Sequence, residues 1–405
     1  MSHIHPADLQ GLSQLAVDGV LGTTSLVEEM HYAISRVSGP SLPSKDRRTR
    51  GITGLVYRSI HGITGVVGTT TDLAFRQVVP RLPQPDSTPE RDRALAALNG
   101  VLGDHLEATT NPLVLPMALR HQGQTLTPAT HQLSGLLPQS SGRIAVFLHG
   151  LCMSEHHWTP DIEASDKIDL TRAVHADAGY LPLRLSYNTG RTIQANGREF
   201  ANRLEALLGA WPEPVDEIVL IGHSMGGLVA RSACHHAQLA GQAWIEQTRH
   251  LITLGSPHHG APLERIGHQV DRALALTPFS RPFTRLGAIR SAGITDLRFG
   301  KLVDAGGRQA GDATSRETRD QPLHSPSHLR FCALAACLGS APSEKRSRLL
   351  GDGLVPVDSA LGRHSDPQRH LALPPENQAL LCGVGHMDLP THPDTVATVL
   401  RWLER

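Results

Sequence analysis

Aromatic side chains are scarce in this sequence: seven Phe, four Tyr and four Trp make up 4% of 405 residues. The core must therefore be mostly aliphatic, and the 40% apolar share is enough to build a large one. Net charge is also missing. Lys+Arg and Asp+Glu each number 38, so bulk charge offers no hold on nucleic acid. The five cysteines, Cys152, Cys234, Cys332, Cys337 and Cys382, form an odd set without regular spacing, which does not read as a disulfide framework. No stretch is long and apolar enough for a transmembrane helix. The best window, 51–71, is broken by Arg58 and His61 and diluted by Gly and Thr. The opening Met1–Asp8 lacks a basic segment followed by an apolar one. Cytoplasmic residence is expected, with peripheral membrane contact left open.

Metal and nucleotide motifs are absent too. There are 24 histidines, but the pairs His156-His157, His235-His236 and His258-His259 are adjacent, not spaced along one helical face. Neither H-E-x-x-H nor C-x-x-C occurs. Gly222–Gly227 is not G-x-G-x-x-G, and Gly293–Lys301 has the wrong spacing for a P-loop. No metal and no cofactor are expected.

What the sequence does hold is a sharp local signal. Ile218-Val-Leu-Ile221 is a β-branched run, followed by Gly222-His223-Ser224-Met225-Gly226-Gly227 and a helix-forming stretch. Strand, glycine turn around one serine, then helix is the setting of a nucleophile elbow. Gly222 and Gly226 lack the Cβ atoms that would collide where the flanking segments meet. The helix starting at Met225 aims unpaired N–H groups at the serine, which suits a developing oxyanion.

Two more groups are needed, and both are present. An apolar run from Arg143 to Leu148 leads into His149-Gly150-Leu151. Gly150 lets the chain turn, so the Leu151 N–H would be the second oxyanion donor beside that of Met225. An acid and then a histidine should follow the serine, each in a loop past a strand. Gly351-Asp352-Gly353 and Gly385-His386-Met387 fit, giving the order Ser224, Asp352, His386. His386 would be the general base and Asp352 would fix its tautomer. Asp358 and Asp366 lack the glycine loop. His223 should project away from the serine, and Ser256 reads as pocket floor.

The remaining runs alternate as strands and helices: strands at 181–187, 250–254, 329–336 and 378–382, helices at 188–208, 225–239 and 393–403. A hairpin is expected between Pro116 and Leu126. Amphipathic patterns over 263–289 suggest a lid or cap, and the polar stretch 304–325 a mobile loop, so 261–325 reads as an insertion.

The set Val-Phe-Leu-His-Gly-Leu, Gly-His-Ser-Met-Gly-Gly, Leu-Gly-Ser-Pro-His-His-Gly, Gly-Asp-Gly-Leu-Val-Pro and Gly-His-Met-Asp resembles the motifs of α/β-hydrolase serine esterases and lipases. Bacterial triacylglycerol lipases and the group containing the GPI inositol deacylases are the nearest kinds. The resemblance covers about 115–405. It implies the α/β-hydrolase fold, a mostly parallel sheet flanked by helices, and hydrolysis of a small-molecule or lipid ester through an acyl-serine. Some secreted lipases place a calcium-ligating Asp two residues after the catalytic His. Asp388 sits there, and Asp296 would have to join it, but one or two acids supply too few of the oxygens calcium takes.

The first third, 1–112, resembles nothing named. It reads as a helical accessory region ahead of a catalytic domain, 113–405. One helix is expected up to Val37, a second carries the stripe Ile52, Leu55, Val56, Ile60, Ile63, Val66, Val67, Leu73 and Val78, and a third starts at Pro89. Gly-Ile-Thr-Gly recurs at Gly51 and Gly62, placing small residues on one face for close packing. Between the first two lie Lys45, Arg47, Arg48 and Arg50. A bundle packed on the main domain is the favoured reading, and lipid contact the sharper one. For the whole chain, an ester hydrolase is expected. An acyltransferase with the same triad and a lipid-surface scaffold with a vestigial hydrolase domain are the alternatives.

Overall fold

Arg143–Leu148, Glu217–His223 and Arg330–Cys337 hold long apolar runs and Thr248–Leu254 ends in Leu-Ile-Thr-Leu, and nearly every residue of the four is buried, as in strands covered on both faces. In the computed structural model they form the centre of an eight-stranded sheet. The structure describes residues 5–37, 49, 51–82, 87–129, 133–136, 142–160, 166–262, 291–303, 326–340 and 349–404. In chain order the strands are β1 (Ala118–His121), β2 (Gln124–Thr125), β3 (Arg143–Leu148), β4 (Leu181–Ser186), β5 (Glu217–His223), β6 (Thr248–Leu254), β7 (Arg330–Cys337) and β8 (Gln378–Cys382). Their spatial order is β2-β1-β4-β3-β5-β6-β7-β8. The β1–β2 and β1–β4 pairs are antiparallel and every other pair is parallel. This is the expected α/β-hydrolase fold, with a helical extension before it.

The helices of eight or more described residues are α1 (Pro6–Val37), α2 (Gly51–Val78), α3 (Pro89–Ala108), α4 (Leu170–Ala178), α5 (Ile193–Gly209), α6 (Met225–Ala240), α7 (Ala292–Phe299) and α8 (Pro393–Leu403). The few aromatic residues are spent inside: Trp158, Trp244, Trp402, Tyr180, Tyr187, Phe147 and Phe200 are all fully buried. Trp158, Leu170, Val174, Val396, Val399 and Trp402 pack with Phe147, Val219, Ile252 and Leu334 in one core beneath the sheet.

The chain divides into two compact units, 1–91 with 106–114, and 92–105 with 115–405. In the first, α1 and α2 are joined through Asp72, whose Oδ1 accepts from Gln10 Nε2 at 2.8 Å and Gln14 Nε2 at 2.6 Å. Arg91 also clamps Asp8 there, at 2.6 Å. The helical stripe of α2 does not become a core. Leu55, Val56, Ile60, Ile63, Val66, Val67, Leu73 and Val78 are 38–67% exposed. Of the repeated glycines, the second copy is open: a Cβ at Gly62 or Gly65 would meet nothing within 4 Å, whereas one at Gly54 would lie 2.3 Å from Thr49 O. Against α1 itself the close approach is at Gly68, whose Cβ would lie 2.8 Å from Val17 Cγ1.

In the second unit α5 starts at Ile193, five residues later than its periodicity suggests. Thr192 is the cap, accepting from the Ala195 N–H, and Asn188 folds back on Gly190 N–H instead of entering the helix. Helix α4 was not anticipated. Its apolar stripe is only two turns long, and its ends carry the signal: Asp169 caps Arg172 N–H, and Gly179 closes it at φ 73°. The amphipathic patterns expected over 263–289, the loop 304–325 and the basic residues 45–50 lie outside the described residues. No described helix is long and apolar enough to cross a membrane.

The core of this unit also contains imidazoles. His149, His223 and His258 are buried. Burial pushes His149 down to about 4 and holds His223 and His258 well below the ordinary imidazole range. In the unfolded chain the same side chains take up protons near pH 6.5. Between about pH 4 and 6.5 the unfolded state therefore binds more protons, and stability rises with pH. Urea unfolding should give a midpoint that is level above about pH 7 and falls steadily below 6.5. A flat profile from pH 7 to 4.5 would mean these rings are not buried neutral.

Candidate active site

The backbone at Ser224 is strained in the way an elbow demands, with φ 54° and ψ −122°. The strain is fixed from three sides. Ser224 N–H donates to Leu254 O at the end of β6, 2.9 Å. A Cβ on Gly226 would lie 2.1 Å from Leu148 O, and one on Gly222 would lie 2.4 Å from Gly227 Cα. A side chain at 222 would thus push α6 away from β5, and one at 226 would push it away from β3. Met225 opens α6, so its N–H has no partner within the helix.

The loop after β3 runs against this turn. A Cβ on Gly150 would lie 3.0 Å from Ser224 Cβ. Leu151 is buried beside it, and Cys152 takes φ 59°, its N–H donating to Thr189 Oγ1 at 3.2 Å. Residues not singled out from the sequence hold this loop. Tyr187 donates its hydroxyl proton to His149 O at 2.6 Å and stacks on the His149 ring, 4.5 Å between centroids. His149 Nδ1 donates in turn to Gly150 O at 3.0 Å. The one sequence hint was a tyrosine ending an apolar strand just before Asn188.

Asp352 and His386 meet across the ends of β7 and β8. His386 Nδ1 donates to Asp352 Oδ2 at 2.7 Å, and both side chains are almost fully buried. The other carboxylate oxygen accepts from Leu354 N–H at 3.0 Å and Val355 N–H at 2.9 Å. A backbone bond from His386 N–H to Asp352 O, 3.0 Å, ties the two loops together. With Nδ1 protonated, Nε2 of a neutral ring is the basic atom, and it is buried with no hydrogen-bond partner among the described residues. Gly255 joins this pair to the serine. It follows Leu254, which holds Ser224 N–H, and its own Cβ would stand 3.0 Å from Asp352 Oδ2 and 3.3 Å from His386 Nδ1.

His223, the last residue of β5, is buried against His386. Its Nε2 donates to His386 O at 3.0 Å, and its ring lies 4.7 Å from that of His386. His157 stacks on its other side at 5.2 Å. Burial pushes His157 down to about 3 and holds His223 well below the ordinary range, so the ring against His386 and the ring stacked on it are neutral. This support was not legible beforehand, because it joins residues 163 apart in sequence. Ser256 is buried under α6, where a Cβ on Gly227 would lie 2.1 Å from its Oγ.

Other acids and histidines are placed elsewhere. Asp388 pairs with Lys167 at 2.9 Å, and Asp296 accepts the Ile193 N–H at the start of α5, 2.9 Å. The two have different partners and form no common oxygen cluster among the described residues. Asp92, Glu155 and His156 do offer ligand atoms within 4.8 Å of one another. There His156 Nε2 bonds Asp92 at 2.9 Å, and Glu155 is held by Arg120 at 3.0 Å.

Comparison of the sequence with curated proteins finds no match. Among solved structures, the mature lipase BlEst2 of Bacillus licheniformis is similar over 66% of this chain and 93% of its own, with 18% identity and a TM-score of 0.43. A thioesterase of prodiginine biosynthesis from Streptomyces coelicolor, RedJ, aligns over 66% and 90%, at 17% identity and a TM-score of 0.35. The naproxen esterase of Bacillus subtilis aligns over 78% and 99%, at 13% and 0.36. Residues 139–306, which carry β3 to β6, the loop at Leu151 and the elbow at Ser224, match the family model of the PGAP1-like alpha/beta domain.

Proposed function

We propose that this protein is a serine hydrolase of carboxylic esters. The observation that carries the reading is the buried Asp352–His386 pair, with Nε2 unpartnered among the described residues and Gly255 bridging it to the backbone that holds Ser224. In the proposed reaction Ser224 Oγ attacks the ester carbonyl while His386 Nε2 takes its proton. The oxyanion of the tetrahedral intermediate lies against the N–H groups of Met225 and Leu151. Asp352 keeps Nδ1 protonated and stabilises the imidazolium. His386 then returns the proton to the leaving alkoxide, and the acyl group stays on Ser224. Water activated by the same nitrogen adds to the acyl-serine, and collapse releases the acid.

The environment supports these roles. Asp352 accepts two backbone N–H bonds besides that of His386, so it keeps a fixed orientation. Neutral His223 and His157 add no charge that would compete with the imidazolium. All the proposed groups follow the carboxyl ends of parallel strands, where open α/β sheets form their sites.

The test is hydrolysis of p-nitrophenyl esters from acetate to palmitate. Ser224→Ala should lower kcat by at least about 10³-fold. Asp352→Asn should cost about 10³- to 10⁴-fold in kcat with little change in KM, because the amide favours the wrong imidazole tautomer. Activity persisting in Ser224→Ala would sink the reading. Gly150→Ala places a methyl about 3 Å from Ser224 Cβ and Met153 Sδ. It should reduce kcat about 10-fold or more in a folded protein, since the oxyanion loop must shift. Unaltered kcat there would remove Leu151 from the oxyanion site.

A further inference from the structure

Cys337 and Cys382 are a register pair at the last positions of the parallel strands β7 and β8. Neighbouring strands lie about 4.8 Å apart, within the Cα separation a disulfide accepts. Register partners also point their side chains to the same face. The two Sγ atoms are 3.4 Å apart. Both residues are free thiols; Cys337 is buried and Cys382 is partly exposed.

Their position matters more than their proximity. The backbone of Cys337 and Leu338 holds both loops of the proposed site. Cys337 O accepts from Gly383 N–H at 2.8 Å and Val384 N–H at 3.2 Å, at the root of the loop carrying His386. Leu338 N–H donates to Gly351 O at 2.9 Å, one residue before Asp352. The Leu338 side chain also lies where a Cβ on Gly353 or Gly385 would touch it.

The geometry points to Cys337 and Cys382 as a pair that forms a reversible disulfide with small-molecule disulfides, and to that bond as a displacement of the Asp352 and His386 loops. Closing the gap to a bond of about 2.05 Å draws the sulfurs together by about 1.3 Å. Parallel strands share this end with both loops, so the shift reaches a 2.7 Å hydrogen bond that tolerates little movement.

The exchange balances with glutathione disulfide as oxidant. The thiolate of Cys382, the less buried partner, attacks one sulfur of the oxidant and expels one glutathione. The thiolate of Cys337 then attacks Cys382 Sγ and expels the second. One S–S bond breaks and one forms. Two electrons pass from the cysteines to glutathione, and the two thiol protons end on the two glutathiones. Burial and the adjacent Cys382 sulfur push the Cys337 thiol up to about 11, so exchange runs faster at pH 8 than at pH 7. Cys152, Cys234 and Cys332 are buried, with thiols pushed up to about 12, and serve as internal controls.

The kinetic part of this inference rests on the hydrolase reading; the cross-link does not. The experiment treats reduced full-length protein with glutathione disulfide at pH 8. Non-reducing tryptic mass spectrometry should find peptides 331–345 and 370–401 joined, with fragment ions assigning the bond to Cys337 rather than Cys332. Ester hydrolysis should fall about 10²-fold and return with dithiothreitol. Cys382→Ser should form no cross-link and keep its activity, while Cys332→Ser should behave as wild type. The low-field Nδ1 proton resonance of His386, identified by its loss in Asp352→Asn, should shift or vanish on oxidation. Glutathione adducts without the 337–382 bond would overturn the proposal. So would a bond that leaves both hydrolysis and the resonance unchanged. If the reduced protein hydrolyses no ester, the hydrolase reading is what fails, and the cross-link and the resonance still decide this one.

Discussion

Backbone crossings at Ser224 constrain everything around them. Leu148 O stands where a Cβ of residue 226 would be, and Gly227 where a Cβ of residue 222 would be. A serine at φ 54° carries a cost of order 1–3 kcal/mol, which the surrounding structure must offset. Here β3, β5 and β6 are buried over nearly their whole length, and Leu254 O holds the Ser224 N–H. Because β3 ends against α6, the His149–Leu151 loop has one course available. Because Leu254 is held, Gly255 comes to the Asp352–His386 pair. The serine side of the proposed site is thus a consequence of how these three adjacent strands finish, and the Asp352–His386 side follows the ends of β7 and β8.

That dependence explains what was legible in the sequence. Gly222, Gly226, Gly150 and the glycines around Asp352 are stereochemical requirements, so they mark the turns in one dimension. Apolar runs of strand length likewise located β3, β5, β6 and β8, and the terminal helix Pro393–Leu403. What stayed hidden depends on distant partners. Tyr187 reaches back 38 residues to His149 O, and His223 reaches forward 163 to His386 O. Periodicity found the stripe on α2 but carries no information about what faces it, and most of that stripe is exposed. Helix α4 was too short to show a period, although Asp169 and Gly179 marked its ends.

The abundance of histidine also acquires a physical reason. His121, His149, His175, His223 and His328 each direct a ring N–H to a backbone carbonyl, those of Pro182, Gly150, Tyr180, His386 and Ile245. Imidazole here satisfies acceptors beyond the reach of sheet hydrogen bonding. Its flat ring also stacks, as His149 does on Tyr187 and His157 on His223. A chain poor in true aromatic residues thus fills part of the aromatic role with neutral histidine.

Helix α3 belongs to both compact units, with 89–91 and 106–108 in the first and 92–105 in the second. Asn188 Nδ2 donates to Gly103 O, Ser291 Oγ to Gly100 O, and Asn99 Oδ1 accepts the Leu115 N–H. Gly100 and Gly103 are further pinned by the crowding of Cys152 and Asn188. The sheet unit is therefore not a cassette that starts at its first strand. A gene fusion or deletion that kept only the strands would remove the turn of helix on which the Cys152 and Asn188 loops are built. A shortened chain that keeps these bonds and the whole second unit has to begin no later than residue 92.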